Sequence, residues 1–291
     1  MTEKSAELFK DGDFCLSVKE KEMIDTVKAS FKNVIVILNV GGMVDTSWFA
    51  YDDQIQSALL ALQGGIEGGL AAAELLVGDG NPSGKTVDTF AKSLDDYPST
   101  YNFHESRDYV DYTDDIYVGY RYFETIPGAA EKVVYPFGYG LSYTSFDVET
   151  VSAGVVNSNC TSETNKLYAK VRVTNTGKFS GKEVVQVYVS CPQGKLPKEF
   201  RRLTAFEKTK LLAPGETQSL ELITDLYHLA SYSEEQAAWM LEEGMYGIWI
   251  GNSLSEAVLC GRFRLNEDKI LVQCEHICPL KEKLEELQPD K

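Results

Sequence analysis

Between positions 135 and 146 the chain reads Tyr-Pro-Phe-Gly-Tyr-Gly-Leu-Ser-Tyr-Thr-Ser-Phe, and no other segment restricts the fold as strongly. Pro136, Gly138 and Gly140 exclude a helix interior, since glycine loses backbone entropy there and proline lacks the amide donor. The rings of Tyr135, Phe137, Tyr139, Tyr143 and Phe146 exclude a solvated linker. An ordered, buried turn is expected, with large side chains packed against closely approaching backbone. The run also separates two halves of different periodicity.

Upstream, Ser17-Val18-Lys19-Glu20 has the spacing of a helix capping box, and Met23, Ile24, Val27 and Phe31 follow on one helical face. Residues 34–38, Val-Ile-Val-Ile-Leu, predict a strand buried on both faces, turning at Asn39-Val40-Gly41-Gly42. Residues 55–62 read as a second helix or apolar segment, and residues 70–77 as an Ala/Leu-rich helix after a glycine cluster. Strand–helix alternation predicts an α/β sandwich domain, partial and with a mostly parallel sheet.

Downstream the period drops to two. Residues 167–174 alternate, residues 184–189 do so in part, and Asn175 to Gly181 forms the turn between them. Further strands are expected at 203–212, 218–223, 247–250 and 257–265, which makes an all-β sandwich. Residues 233–242 read as a short helix. Residues 267–291 read as a linker with a charged, helix-patterned end at 280–287.

At 291 residues the chain can hold two cores. Its 44 acidic against 28 basic side chains give a net charge of −16, which disfavours nucleic acid and anionic lipid as partners. Lys198, Arg201 and Arg202 are the sole local positive cluster. The longest apolar run, residues 34–38, is too short to span a bilayer, so no membrane association is expected. The first ten residues are polar, without an apolar secretion signal, and a cytoplasmic location is expected. Six cysteines are read as reduced thiols. Cys274 and Cys278 flank His276 without a second ligand pair, so neither metal nor cofactor is expected.

Several residue groups have the right chemistry for a site but a simpler structural reading. Asn39 to Gly42 lacks the spacing of a phosphate loop. In Gly64-Gly65-Ile66-Glu67-Gly68-Gly69, Glu67 has the chemistry of an acid or base, yet it equally favours the N-terminus of the following helix. Lys85 reads as a solvated turn lysine. His104, His228 and His276 are far apart, with no Ser or Cys in a nucleophile elbow. Asp108, Asp111, Asp114 and Asp115 lack the glycine and terminal glutamate of a calcium loop and read as a solvated acidic loop. Tyr117 to Phe123 is a core stripe before it is a sugar-stacking strip, and Arg121 within it is expected to pair with a carboxylate.

Taken in order, Gly12-Asp-Phe-Cys-Leu-Ser17, residues 34–42, residues 64–69, Gly78-Asp-Gly-Asn-Pro-Ser-Gly-Lys85, Tyr117-Val-Gly-Tyr-Arg-Tyr122 and Pro136-Phe-Gly-Tyr-Gly-Leu-Ser-Tyr143 resemble the α/β domain of glycoside hydrolase family 3, the β-glucosidases and their relatives. Val173-Thr-Asn-Thr-Gly177, Gly181 to Tyr188, residues 203–206 and Pro214-Gly-Glu216 resemble the family's fibronectin type III-like domain. The resemblance implies a truncated α/β domain at 1–141, a fibronectin type III-like sandwich at 142–266, and a tail at 267–291 towards a missing domain. It further implies hydrolysis of β-glucosides or related β-linked sugars with retention, by two carboxylates about 5 Å apart. The nucleophile sits on a (β/α)₈ barrel of roughly 250 residues, for which this chain has no room. The acid/base glutamate lies in many members in a Gly-Glu-Gly loop just upstream of the segment matching Gly12. The first ten residues do not match that loop, so neither Glu3 nor Glu7 inherits the role. No catalytic residue is therefore expected here; an oligosaccharide or β-glycoside substrate and the absent barrel are the implied partners. The alternative expectation is a non-catalytic carbohydrate-binding or scaffolding protein.

Overall fold

The computed structural model describes residues 12–103, 106–156, 166–277, 280, 282 and 284–289. The first half begins with helix α1 (Val18–Ser30), and its capping box forms as the spacing predicts. The Ser17 amide donates to Glu20 Oε2 at 2.7 Å and the Glu20 amide to Ser17 Oγ at 3.4 Å. Strand β1 (Val34–Leu38) follows, then a helical turn α2 (Ser47–Ala50) and strand β2 (Ile55–Leu60). Strands β1 and β2 pair in parallel, Val34 opposite Ile55 and Leu38 opposite Leu60. The helical reading of 55–62 is thus corrected. Four apolar residues in a six-residue stretch do not discriminate helix from strand, and the parallel partner decides.

Helix α3 (Gly68–Val77) ends on Gly78, whose φ of +85° is the left-handed C-cap glycine favours. Strands β3 (Phe90–Ala91) and β4 (Val133–Tyr135) pair antiparallel around helix α4 (Tyr120–Thr125). Val34, Phe49 and Ile55 form one small core with Trp48 and Tyr135 against it; Ala91, Tyr117, Tyr122, Phe123 and Ala129 form another.

Burial of β1 on both faces is not what the structure shows. Ile35 and Ile37 are exposed, and α3 has no buried residue although Leu70, Leu76 and Val77 are apolar. A groove of about 310 Å³ runs between α1 and β1, lined by Met23, Val27, Val36 and Trp48 among others. Parallel strands are ordinarily covered on both sides. Here one side stands open.

The second half is a sandwich. Strands β5 (Phe146–Val156), β6 (Lys166–Asn175) and β9 (Thr217–Asp225) make one sheet, ordered β5-β6-β9. Strands β7 (Val184–Ser190), β8 (Arg202–Lys208), β12 (Gly244–Gly251) and β13 (Val258–Leu265) make the other, ordered β13-β12-β7-β8. All neighbours are antiparallel. The alternation in β6 delivers Leu167, Ala169, Val171 and Val173 to the core, where Val185, Val187 and Ile248 meet them. Each fully buried Val, Leu or Ile contributes about 1.5–3 kcal/mol, so this core is the stability reserve of the chain. Cys191 lies at its edge, and burial pushes the thiol up to about 11, leaving it inert at neutral pH.

Strands β10 (Ser231–Ser233), β11 (Ala238–Leu241) and β14 (Lys269–Gln273) form a third, small sheet. The helix expected at 233–242 is instead the β10–β11 hairpin, with Ala237 at φ +48° in its turn. The linker reading of 267–291 is likewise corrected over β14, which pairs with β11 and brings Leu271 against the sandwich core. Residues 284–289 are not helical. The Leu287 amide donates to Thr113 O at 2.7 Å and its side chain packs beside the Tyr117–Phe123 core, so the tail returns to the first half. Among the described residues no helix is long and apolar enough to cross a membrane.

Candidate functional site

In α/β sheets ligands gather at the carboxyl ends of parallel strands. Here that end consists of residues 39–46 after β1 and 61–67 after β2, tied by the Ala61 amide donating to Leu38 O at 3.0 Å. The glycines have backbone reasons to be there. A Cβ on Gly64 would lie 2.7 Å from Gly68 Cα, and Gly65 has φ +66°. Glu67 occupies the N-cap position of α3 without a side-chain cap hydrogen bond, beside a fully exposed Ile66. Its position answers the helix dipole.

The aromatic run is the joint between the halves. Tyr120 and Phe137 lie 4.7 Å apart, Tyr120 meets Tyr188 edge-on at 6.2 Å, and Leu203, Trp249, Leu254 and Ala257 close the cluster. On the other flank Tyr135 stacks on Phe49 at 6.3 Å and tilts over Tyr139 at 5.4 Å. Gly138 has φ +76°, and any Cβ there would collide with the Gln186 amide, whose Nε2 donates to Gly138 O at 3.2 Å. The run is ordered but only part-buried, since Leu141 and Tyr143 are exposed. Asn81 Oδ1 accepts from Ser142 Oγ and the Tyr143 amide, both at 2.9 Å, while Asn81 Nδ2 donates to Ser180 O.

Lys85 is not a solvated lysine. Its Nζ lies 2.8 Å from Glu183 Oε1 with both side chains nearly buried, and Asn252 Nδ2 donates to the other Glu183 oxygen at 3.0 Å. The turn at 81–85 thereby plugs into the sandwich.

The positive cluster is also not a surface patch. Each member has its own glutamate: Lys198 with Glu242 at 2.5 Å, Arg201 with Glu124, and Arg202 with Glu199. Arg201 additionally donates to Leu254 O and Ala257 O at 3.1 and 3.3 Å and lies over the Trp249 ring at 4.9 Å. Burial raises the Glu124 pKa, and Arg201 offsets only part of that cost. Burial pushes Glu199 up as well, but the hydrogen bond and charge of Arg202 outweigh it, and its pKa falls below the ordinary 4.5. Arg121 completes this pair at 3.9 Å from Glu199, half-exposed, as its place among the tyrosines suggested. The unfolded chain binds more protons than the folded one where a native carboxyl is held low, so this contribution is present above 4.5 and lost as pH falls through the folded value. We expect Glu199→Gln to flatten the acid limb of a stability–pH curve below 4.5; an unchanged acid limb in urea titrations would rule the linkage out.

The remaining candidates do not converge. His228 is exposed on the sandwich and His276 lies near the chain end; His104 and Cys278 fall outside the described residues, as do Glu3 and Glu7. Asp108 and Asp115 are exposed, but burial raises the Asp114 pKa, so the acidic loop is not uniformly solvated. Among the described residues no group of three His, Cys, Asp or Glu side chains could hold a metal. Sequence reasoning missed the three buried ion pairs, whose only signal was the unusual Lys-Glu-Phe-Arg-Arg run at 198–202.

The geometry is that of a packed and ion-paired joint between the two halves. The glycosyl hydrolase family 3 C-terminal domain matches residues 2–143, and a fibronectin type III-like domain matches residues 183–254. The chain is 53% identical over 271 residues to beta-glucosidase A of Butyrivibrio fibrisolvens, spanning 89% of this chain and 33% of that protein. It is 39% identical to a beta-glucosidase of Ruminococcus albus, over 91% of this chain and 27% of that one. Among solved structures, a beta-glucosidase from Paenibacillus barengoltzii superposes with a TM-score of 0.85 at 41% identity, over 92% of this chain and 30% of that one. Beta-glucosidase 3B from Thermotoga neapolitana in complex with glucose gives 0.79 at 38%, over 90% and 36%. The chain spans about a third of the length of the relatives it matches.

Proposed function

This chain belongs to glycosyl hydrolase family 3, and from that premise we propose that it supplies the non-catalytic part of an enzyme hydrolysing β-glucosides or related β-linked sugars with retention. The exposed apolar side chains Ile35 and Ile37 of β1 and Leu70, Leu76 and Val77 of α3 carry the reading, in a chain matching a third of the length of its β-glucosidase relatives. In this proposal the paired carboxylates belong to a (β/α)₈ barrel outside these residues. The α/β unit, residues 1–141, covers the barrel mouth and completes the sugar pocket. The sandwich, residues 142–266, buttresses both through the aromatic joint. A cytoplasmic setting belongs to the same proposal, supported by the free thiols of Cys191, Cys260 and Cys274.

The purified chain is expected to show no turnover of an aryl β-glucoside. Turnover that is abolished by substituting one of its own carboxylates would sink the proposal. The second reading, a carbohydrate-binding protein without catalysis, is favoured by the exposed Trp239.

A further inference from the structure

We propose that residues 284–289 form a releasable strap, anchored by Leu287, that holds the 106–116 loop of the first half in place.

The anchor is a two-part contact. The Leu287 amide donates to Thr113 O at 2.7 Å, and the Leu287 side chain packs against the core of Tyr117, Tyr122, Phe123 and Ala129. Among the described residues every other member of that core lies between Ala91 and Val133. Leu287 therefore reaches it from outside, along a segment that leaves the sandwich through β14.

The loop needs such a hold. From 106 to 119 the chain has neither helix nor strand, so no ladder of backbone hydrogen bonds sets its shape. Asn102 Nδ2 donates to Asp111 O at 3.0 Å and to Thr113 Oγ1 at 2.7 Å, and the Thr113 amide donates to Asp111 O at 3.0 Å. Thr113 is thus gripped twice, by Asn102 at its hydroxyl and by Leu287 at its carbonyl. Tyr109 and Tyr112, 60% and 84% exposed, stand on the loop held in this way. The strap fixes how these two outward rings are presented.

Two observations make the contact releasable. The described residues from 274 to 289 form no helix or strand, and Ile277 and Leu280 are 83% and 60% exposed, so little besides Leu287 resists lifting. The socket also has packing of its own: Phe123 meets Tyr97 edge-on at 5.7 Å and Tyr122 at 5.0 Å, all within the first half. Lifting the strap leaves those rings together and β14 paired with β11. A segment held by so few buried contacts opens without global unfolding. Order in the loop is thereby tied to a segment that belongs to the other half.

The test is native-state hydrogen exchange of the full chain in low denaturant. Amides at 284–288 and 108–116 are expected to open together, before those of β6, β7 and β12. Leu287→Asp, which sets a carboxylate against the apolar socket, is expected to speed exchange across 108–116 about tenfold and to leave the three strands unchanged. Leu287→Met keeps the apolar anchor and is expected to match the native chain. Opening of the strap or loop through global unfolding alone would overturn the proposal, because Leu287 would then be a fixed part of the core. So would an unchanged loop in Leu287→Asp, or a loss of protection that spreads through the sandwich strands.

Discussion

Arg201→Met is expected to destabilise the chain by about 3–5 kcal/mol, because it strands the Glu124 carboxylate in a buried site. Arg201 and Glu124 come from different halves, one beside β8 and one in α4, and both side chains are largely buried. The guanidinium also serves Leu254 O and Ala257 O and lies over Trp249, so a lysine at this position would not replace its fork. Reversal by a second change identifies the mechanism. In Arg201→Met with Glu124→Leu the unpaired charge disappears, and what remains is two under-satisfied carbonyls, a smaller cost. The double variant is expected to recover most of the loss in urea titrations. A single-variant loss below about 1 kcal/mol would place the pair in the weak class of surface ion pairs and remove its role at the joint.

How far such a joint can be read from sequence depends on the range of the interactions. Ser17 and Glu20 are three residues apart and their capping box was legible, as was the period-two pattern that fills the sandwich core from β6. The run at 135–146 was legible as a turn because glycine and proline act on their own backbone. What it touches was not: Gln186 and Leu254 reach Gly138 and Phe137 from 48 and over a hundred positions away. Lys85 failed for the same reason, since Asn-Pro-Ser-Gly-Lys is a turn by local rules, and only the distant Glu183 makes it an interdomain plug. Residues 55–62 and 233–242 failed differently, because their composition fits two elements and a distant strand partner chooses. The same applies to Trp239. Its cross-strand neighbours Tyr232 and Val272 follow from register across three strands, one of them, β14, in a segment read as linker.

The joint also explains how a chain with an open α/β face can stay folded. Strands β1 and β2 alone are too few for independent stability. Their small core, Val34, Phe49 and Ile55, reaches Tyr135, Tyr135 reaches Tyr139, and that turn is pinned to the sandwich by Gln186, Asn81 and Lys85. Stability thus flows from the sandwich outward.

The sandwich has its own buried pair, and Lys198→Met is expected to cost about 3–5 kcal/mol there. Lys198 and Glu242 are the most deeply buried of the ion pairs, at 2% and 5% side-chain exposure. The 194–198 segment wraps the carboxylate: the Lys195 amide donates to Glu242 Oε1 at 2.6 Å, the Leu196 amide to both oxygens at 3.3–3.4 Å, and Gly194 sits where any Cβ would strike it. The rescue rule therefore differs from that at Arg201. Lys198→Met with Glu242→Leu removes both charges but leaves the part-buried Lys195 and Leu196 amides without their acceptor, and is expected to recover only part of the loss. Lys198→Met with Glu242→Gln keeps a carbonyl oxygen for those amides without a charge, and should recover most of the stability. Identical losses in both double variants would show that the amides do not depend on Glu242 and that the carboxylate acts on Lys198 alone.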